Sequence, residues 1–170
     1  MVTKVEEAKN LVELGTKQPT EAFPKIKQLA QSNDWKVREV AATCLVEISK
    51  KKTDEVIQEM MRWADDGNPN VRRTSSEGLR DVARKNPDKV LPVIEKLKKD
   101  DKLYVKKSVA NVLRNASRYA PVFVFELCQK WALLENPNTN WIMKNSIKKL
   151  PPEQQKEVPS PLKLKTTQLA

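Results

Sequence analysis

The side chains of this chain that could do chemistry are few in kind. It has no histidine and only two cysteines, Cys44 and Cys128, set far apart with no CxxC spacing. Without imidazole neither a Ser/His/Asp nor a Cys/His nucleophile can be assembled, and two isolated thiols do not make a zinc site. No glycine-rich phosphate loop is present. What remains is a set of carboxylates (Glu39, Glu77 and Asp81 among them), indoles (Trp35, Trp63 and Trp141 of four) and a recurrent group of bases. Lys36 and Arg38, Arg72 and Arg73, Lys106 and Lys107, then Lys144, fall near the starts of successive helical segments. A helix start carries about +0.5 of an elementary charge, so a cation there is disfavoured by roughly 0.3–1 kcal/mol. Repetition of that placement points to an anionic ligand, with the free N–H groups of the helix starts as further phosphate donors. Arg114, Arg118 and Lys148 lie along the same segments and would assist. The competing account is ordinary surface chemistry. Asp34, Asp65, Asp66, Asp100 and Asp101 lie just ahead of the bases and can cap helices or form weak exposed pairs.

The elements that must hold these residues follow from an internal period. Val37, Val71 and Val105 are spaced by 34, as are Leu45, Leu79 and Leu113, and the column Leu29, Trp63, Leu97, Trp131 keeps the same step. A fourth copy, NTNWIMKNSIKKL, is read as slightly late, with Ile142 in the valine column and Leu150 in the leucine column. Asn68-Pro69, Asn86-Pro87, Ala120-Pro121 and Asn136-Pro137 punctuate the pattern, with proline at the first turn where its missing N–H costs nothing. The periodicity predicts helices over 3–15, 20–32, 34–49, 53–66, 69–85, 87–100, 103–118, 120–135 and 138–150. An amphipathic helix pair cannot bury its stripe alone, so the pairs must stack. The expected fold is all-α, a right-handed α-solenoid of about four HEAT-like helix pairs over 1–150. Residues 151–170 lose apolar periodicity and are expected to form a Pro-rich extended C-terminal tail. Gly78, inside a predicted helix, costs about 1 kcal/mol relative to Ala. Close helix packing is the expected reason, because its repeat equivalents Cys44 and Val112 are apolar.

Charge indicates the partner. Residues 1–66 hold 11 Lys/Arg against 12 Asp/Glu, and residues 67–170 hold 21 against 10. Such an imbalance favours a polyanion, most simply nucleic acid, over bases scattered on solvated faces. The polar start MVTKVEEAKN is unlike a signal peptide, and the apolar run APVFVFELC falls short of the roughly 20 residues that span a bilayer. A cytoplasmic protein with reduced thiols is expected, nucleoid-associated if prokaryotic, with neither membrane, metal nor cofactor.

The phrases NPNVRRTSSEGLR, LPVIEKLKKDDKLYVKKSVANVLRNASRYAP and NTNWIMKNSIKKL together resemble the HEAT-like repeats of the DNA alkylation repair family, which includes AlkC- and AlkD-type glycosylases. The resemblance covers about 35–150. It implies a concave basic face that grips duplex DNA, including damaged or distorted DNA, through its backbone. In active members it also implies hydrolysis of the N-glycosidic bond of cationic N3- or N7-alkylated purines. That chemistry needs a carboxylate to stabilise an oxocarbenium ion and aromatic faces to hold the lesion. In AlkC-like members the SVAN phrase continues His-Leu-Asn-Asp, ending on the expected catalytic carboxylate; here Val112 stands at the His and Asn115 at the Asp. No Trp follows Arg80, and Asn145 replaces a His common after the Trp of the last phrase. Glu39 and Trp141 remain as weaker candidates for acid and stacking platform. The resemblance therefore implies DNA binding by Lys36, Arg38, Arg72, Arg73, Lys106, Lys107, Arg114, Arg118, Lys144 and Lys148 without robust glycosylase activity. An alkylpurine-DNA glycosylase with an altered site and a scaffold for an acidic protein partner are the alternatives.

Overall fold

The computed structural model describes residues 3–157, which form α-helices and no strand. In chain order these are α1 (Lys4–Lys17), α2 (Pro19–Ala30), α3 (Trp35–Ser49), α4 (Thr53–Trp63), α5 (Pro69–Glu77), α6 (Arg80–Lys85), α7 (Pro87–Leu97), α8 (Leu103–Ser117), α9 (Pro121–Ala132), α10 (Pro137–Ser146) and α11 (Pro152–Glu157), with a 3-10 turn at Ile147–Lys149. The first helices of the repeats, α2, α4, α7 and α9, make one layer. The second helices, α3, α5 with α6, α8 and α10, make the other, and α1 packs at the end of that layer against α2 and α3. The result is a HEAT-like α-solenoid.

The period is stricter than the apolar columns indicate. Residues capping the second helices are Asp34, Asn68, Lys102 and Asn136, and those ahead of the first helices are Gln18, Lys52, Asn86 and Ala120, each series stepping by 34. The chemistry recurs with the position. Asp34 Oδ1 accepts from the Lys36 amide at 2.9 Å, Asn68 Oδ1 from that of Asn70 at 2.9 Å, and Asn136 Oδ1 from that of Asn138 at 2.9 Å. Each such cap stabilises its helix by about 1 kcal/mol. Lys102 has no acceptor and leaves α8 without a side-chain cap; its own amide donates to Asp100 Oδ1 at 3.0 Å, as that of Asn68 does to Asp66 at 2.8 Å. The fourth copy is therefore not late. Thr139, fully buried, holds the place of Val71 and Val105, and its hydroxyl donates to the Lys98 carbonyl at 2.7 Å. Ile142 and Leu150 are buried but belong to other columns. The leucine column also extends back to Leu11, one period before Leu45 and buried like it.

The helix expected over 69–85 is broken in two at Gly78 and Leu79. Three consecutive hydroxyls weaken the ladder ahead of the break. Thr74 donates to the Asn70 carbonyl, Ser75 to that of Arg72 and Ser76 to that of Arg73, at 2.8, 2.6 and 3.1 Å. Such back-bonding bends helices. The packing reason for Gly78 holds: a Cβ there would lie 2.8 Å from Leu45 Cβ and 2.9 Å from its Cδ1. At the C-terminal end, α11 replaces extended chain over Pro152–Glu157; the rest of the expected tail, 158–170, lies outside the described residues.

The core runs through both layers. Trp63 and Trp131, buried in alternate repeats, give their indole N–H groups to Glu59 at 2.9 Å and Glu95 at 3.0 Å, the second bond tying α9 to α7. A buried indole without such a partner would cost about 1–3 kcal/mol. Among the described residues, no helix is long and apolar enough to cross a membrane.

Candidate nucleic-acid interface

In the strict register, the bases at the second-helix starts separate into two columns with different fates. The first is Arg38, Arg72, Lys106 and Asn140. Arg38 turns back and donates to the carbonyls of Ser32 and Asn33, both at 2.8 Å, in the turn leaving α2. Arg72 does the same one repeat later, to Asp66 at 3.0 Å and Gly67 at 3.3 Å, and its Nε meets Asp100 Oδ2 at 2.7 Å. The electrostatic puzzle of a cation at a helix start is thereby resolved. Each guanidinium sits over the carbonyls behind the preceding first helix, the end where positive charge is favoured. With side chains 17% and 7% exposed, Arg72 and Asp100 are occupied with each other, so the phosphate role expected of Arg38 and Arg72 meets groups already engaged within the chain. Lys106 reaches Asn138 Oδ1 at 3.2 Å and lies 5.5 Å from the centroid of the half-buried Trp141 ring, a cation–π contact.

The second column is Glu39, Arg73, Lys107 and Trp141. Arg73 is half-buried, and its Nη1 is buried without a hydrogen-bond partner. Lys107 is exposed, 5.5 Å from the ring of Tyr104, as Lys36 is 5.9 Å from that of Trp35. Lys144 belongs to neither column, since one period earlier stands Ala110; it is exposed on α10.

Further along the second helices the period brings together a column that charge at helix starts does not reveal: Arg80, Arg114 and Lys148. Arg80 Nη1 bridges Glu39 on α3 at 3.0 Å and Glu77 at 3.7 Å. Arg114 Nη1 donates to the Asn145 carbonyl on α10 at 2.9 Å. These bonds join neighbouring second helices, so their residues share one face. At the last turn, Arg84 pairs with Asp81 at 3.8 Å and lies 5.4 Å from the ring of Tyr119, while Arg118, one period on, is exposed. Step-counting by 34 from Arg114 would have found Arg80 in the sequence.

The candidate reaction chemistry is dispersed. Glu39 is paired with Arg80, which it shares with Glu77, and Asn115 is a half-buried amide. Asn145 donates its Nδ2 to the Trp141 carbonyl at 2.8 Å, so this amide serves its own helix. Asp81 lies in a cavity also lined by Lys50, Lys85 and Lys89. Its counter-charge is Arg84 at 3.8 Å, since Lys50 and Lys89 pair with Glu47 and Asp54. Cys44 and Cys128 are buried thiols pushed up to about 11 and about 12, in both cases by burial, with Glu7 adding to the shift of Cys44. Thiols so shifted are not nucleophiles at neutral pH.

Comparison with known proteins follows the fold. A family model described as DNA alkylation repair enzyme matches residues 8–150. No curated protein matches the chain. Among solved structures, the chain is similar in fold to the alkylpurine DNA glycosylase AlkC of Pseudomonas fluorescens, bound to DNA containing an abasic site analogue, with TM-score 0.70 and 24% identity over 85% of this chain. It spans 41% of the length of that AlkC chain. AlkD2 of Streptococcus mutans matches with TM-score 0.70 and 28% identity over 82% of this chain and 70% of its own.

Proposed function

The chain belongs to the DNA alkylation repair enzyme family, and from that premise we propose that it binds duplex DNA, intact or damaged, through the basic face of its second helices, without robust glycosylase activity. The observation that carries the reading is a set of four bases: Lys107, Arg118, Lys144 and Lys148 are all exposed, and none is paired with a carboxylate among the described residues. A base held by no internal acid keeps its full attraction for phosphate, and releases a counterion when it finds one. The AlkC structure, which holds DNA, supports the same class of partner. A duplex titrated against salt tests this. Four to six phosphate contacts give a log–log slope of about −4 to −5. No binding to duplex at low salt overturns the reading and favours a scaffold for an acidic protein.

The low activity follows from the chemistry at Asn115, where an amide offers no charge to an oxocarbenium ion. One observation favours the second reading, an alkylpurine-DNA glycosylase with an altered site. Asp81 occupies, one repeat earlier, the position that Asn115 holds, so a carboxylate remains one helix away on the same face. Incubation with methylated DNA separates the two. Release of 3- or 7-methylpurine above a mock control, abolished by Asp81→Asn, establishes the enzyme; background release in both supports binding alone.

A further inference from the structure

The acids and bases of the second-helix face are not mixed evenly along the solenoid. On α3, α5 and α6 every carboxylate of that face lies within salt-bridge distance of a base, Glu39 and Glu77 sharing one. Glu39 and Glu77 meet Arg80, Asp81 meets Arg84, and Glu47 meets Lys50 at 2.7 Å. Arg38 and Arg72 are spent on the carbonyls of the preceding turns. Three cations of these helices, Lys36, Arg73 and Lys85, lack both carboxylate and carbonyl partners; Arg73 is half-buried, and Lys85 stands at the end of α6. On α8, α10 and the turn Ile147–Lys149 the pattern reverses, because these segments contain no Asp or Glu. Their bases have only amides, carbonyls or aromatic rings as neighbours: Asn138 and Trp141 for Lys106, Tyr104 for Lys107, the Asn145 carbonyl for Arg114. Neutral groups orient a cation without cancelling its charge.

We propose that the protein meets DNA asymmetrically: the phosphates are held by the C-terminal second helices, α8, α10 and the turn after α10, while α3, α5 and α6 form a charge-compensated wall that adds little attraction. The inference rests on the DNA-binding reading and deepens it by naming the half of the face that grips. Its physical basis is screening. At 0.1 M salt the Debye length is about 10 Å, so an ion pair looks neutral to a phosphate beyond its immediate neighbourhood, whereas an unpaired base does not. The aromatic neighbours of Lys106 and Lys107 sharpen the geometry, because a cation resting on a ring keeps its other side free for an oxygen.

Equal changes of charge at the two ends test it. Lys144→Gln with Lys148→Gln, and Lys50→Gln with Arg84→Gln, each remove two exposed positive charges from the full chain, the second two from ion pairs with Glu47 and Asp81. Helicity by circular dichroism is checked for both, and duplex affinity is measured across salt. The C-terminal pair is expected to flatten the log–log slope by about 1.8 and to weaken binding at 0.1 M salt by about 10- to 100-fold. The other pair is expected to change affinity less than about threefold. Amide hydrogen exchange on the complex is expected to show protection in α8 and α10 rather than α3. Equal losses from the two pairs, or protection centred on α3, overturn the asymmetry while leaving DNA binding intact. Failure of the wild-type protein to bind duplex removes the DNA-binding reading and the asymmetry with it.

Discussion

Arg72 and Lys107 look interchangeable in the sequence, since both are bases in the first turn of a second helix. Their surroundings separate them. The guanidinium of Arg72 satisfies Asp100 and two carbonyls at once, so Arg72→Ala leaves Asp100, 7% exposed, without its counter-ion. Removing one partner of a buried pair costs about 3–5 kcal/mol, and partial exposure brings the expected loss for Arg72→Ala to about 2–4 kcal/mol, read in urea or thermal unfolding. Lys107→Gln, exposed and unpaired, is expected to leave stability within about 0.5 kcal/mol and to weaken DNA binding instead. The opposite pattern, a stable Arg72→Ala with lost DNA affinity, would return Arg72 to the interface. The distinction was hidden in the sequence because charge at a helix start shows where a side chain begins. Where a long guanidinium ends depends on the turn six residues back. The candidate chemistry was easier to read: an amide at Asn115 is an amide in any fold.

At the scale of the element, the 34-residue step carried most of the architecture, because capping side chains and prolines recur with it. The fourth copy was misplaced by its apolar residues alone. Thr139 fills an apolar position, which is possible because its hydroxyl finds the Lys98 carbonyl. The break after α5 was likewise unreadable from periodicity, which continues unchanged across Gly78. That glycine allows a direct check. Alanine would favour helix by up to about 1 kcal/mol, yet its Cβ would press on Leu45 Cβ at 2.8 Å, an atom fixed to the backbone of α3. Overpacking typically costs about 1–3 kcal/mol, so Gly78→Ala is expected to destabilise by about 1–2 kcal/mol net, with duplex affinity unchanged. A stabilised variant would mean that α3 and α5 are not in close contact. Weakened DNA binding in a variant of normal stability would place a ligand, not a helix, against Gly78.

Across the whole molecule, polar ties between successive repeats run along the turns that join first to second helices. Lys27 on α2 meets Asp66 at 2.8 Å, Lys96 on α7 meets Asp65 at 2.5 Å, Arg72 meets Asp100, and Thr139 meets the Lys98 carbonyl. A solenoid gains stability from such nearest-neighbour contacts, since each repeat touches only the next. Asp66 stands where several converge. Partial burial opposes its ionisation, but the Lys27 ammonium, the Asn68 amide and Arg72 outweigh that and hold its carboxyl below the usual range. Burial likewise works against Glu95, and Lys98 with the Trp131 indole prevails there. The sign of the pH effect follows. A carboxyl with a lowered folded pKa binds fewer protons folded than unfolded, so its stabilisation is complete above the unfolded values of 3.8 for Asp66 and 4.5 for Glu95. It is lost as pH falls through the folded values. Unfolding by urea at stepped pH should therefore show stability constant near neutrality and falling below about pH 5. Asp66→Asn should cost about 1–3 kcal/mol at pH 7, and the gap to wild type should close as the pH is lowered, because protonation removes the same charge. A gap that stays constant down to pH 3 would show that the Asp66 carboxylate does not hold the repeats together through its charge.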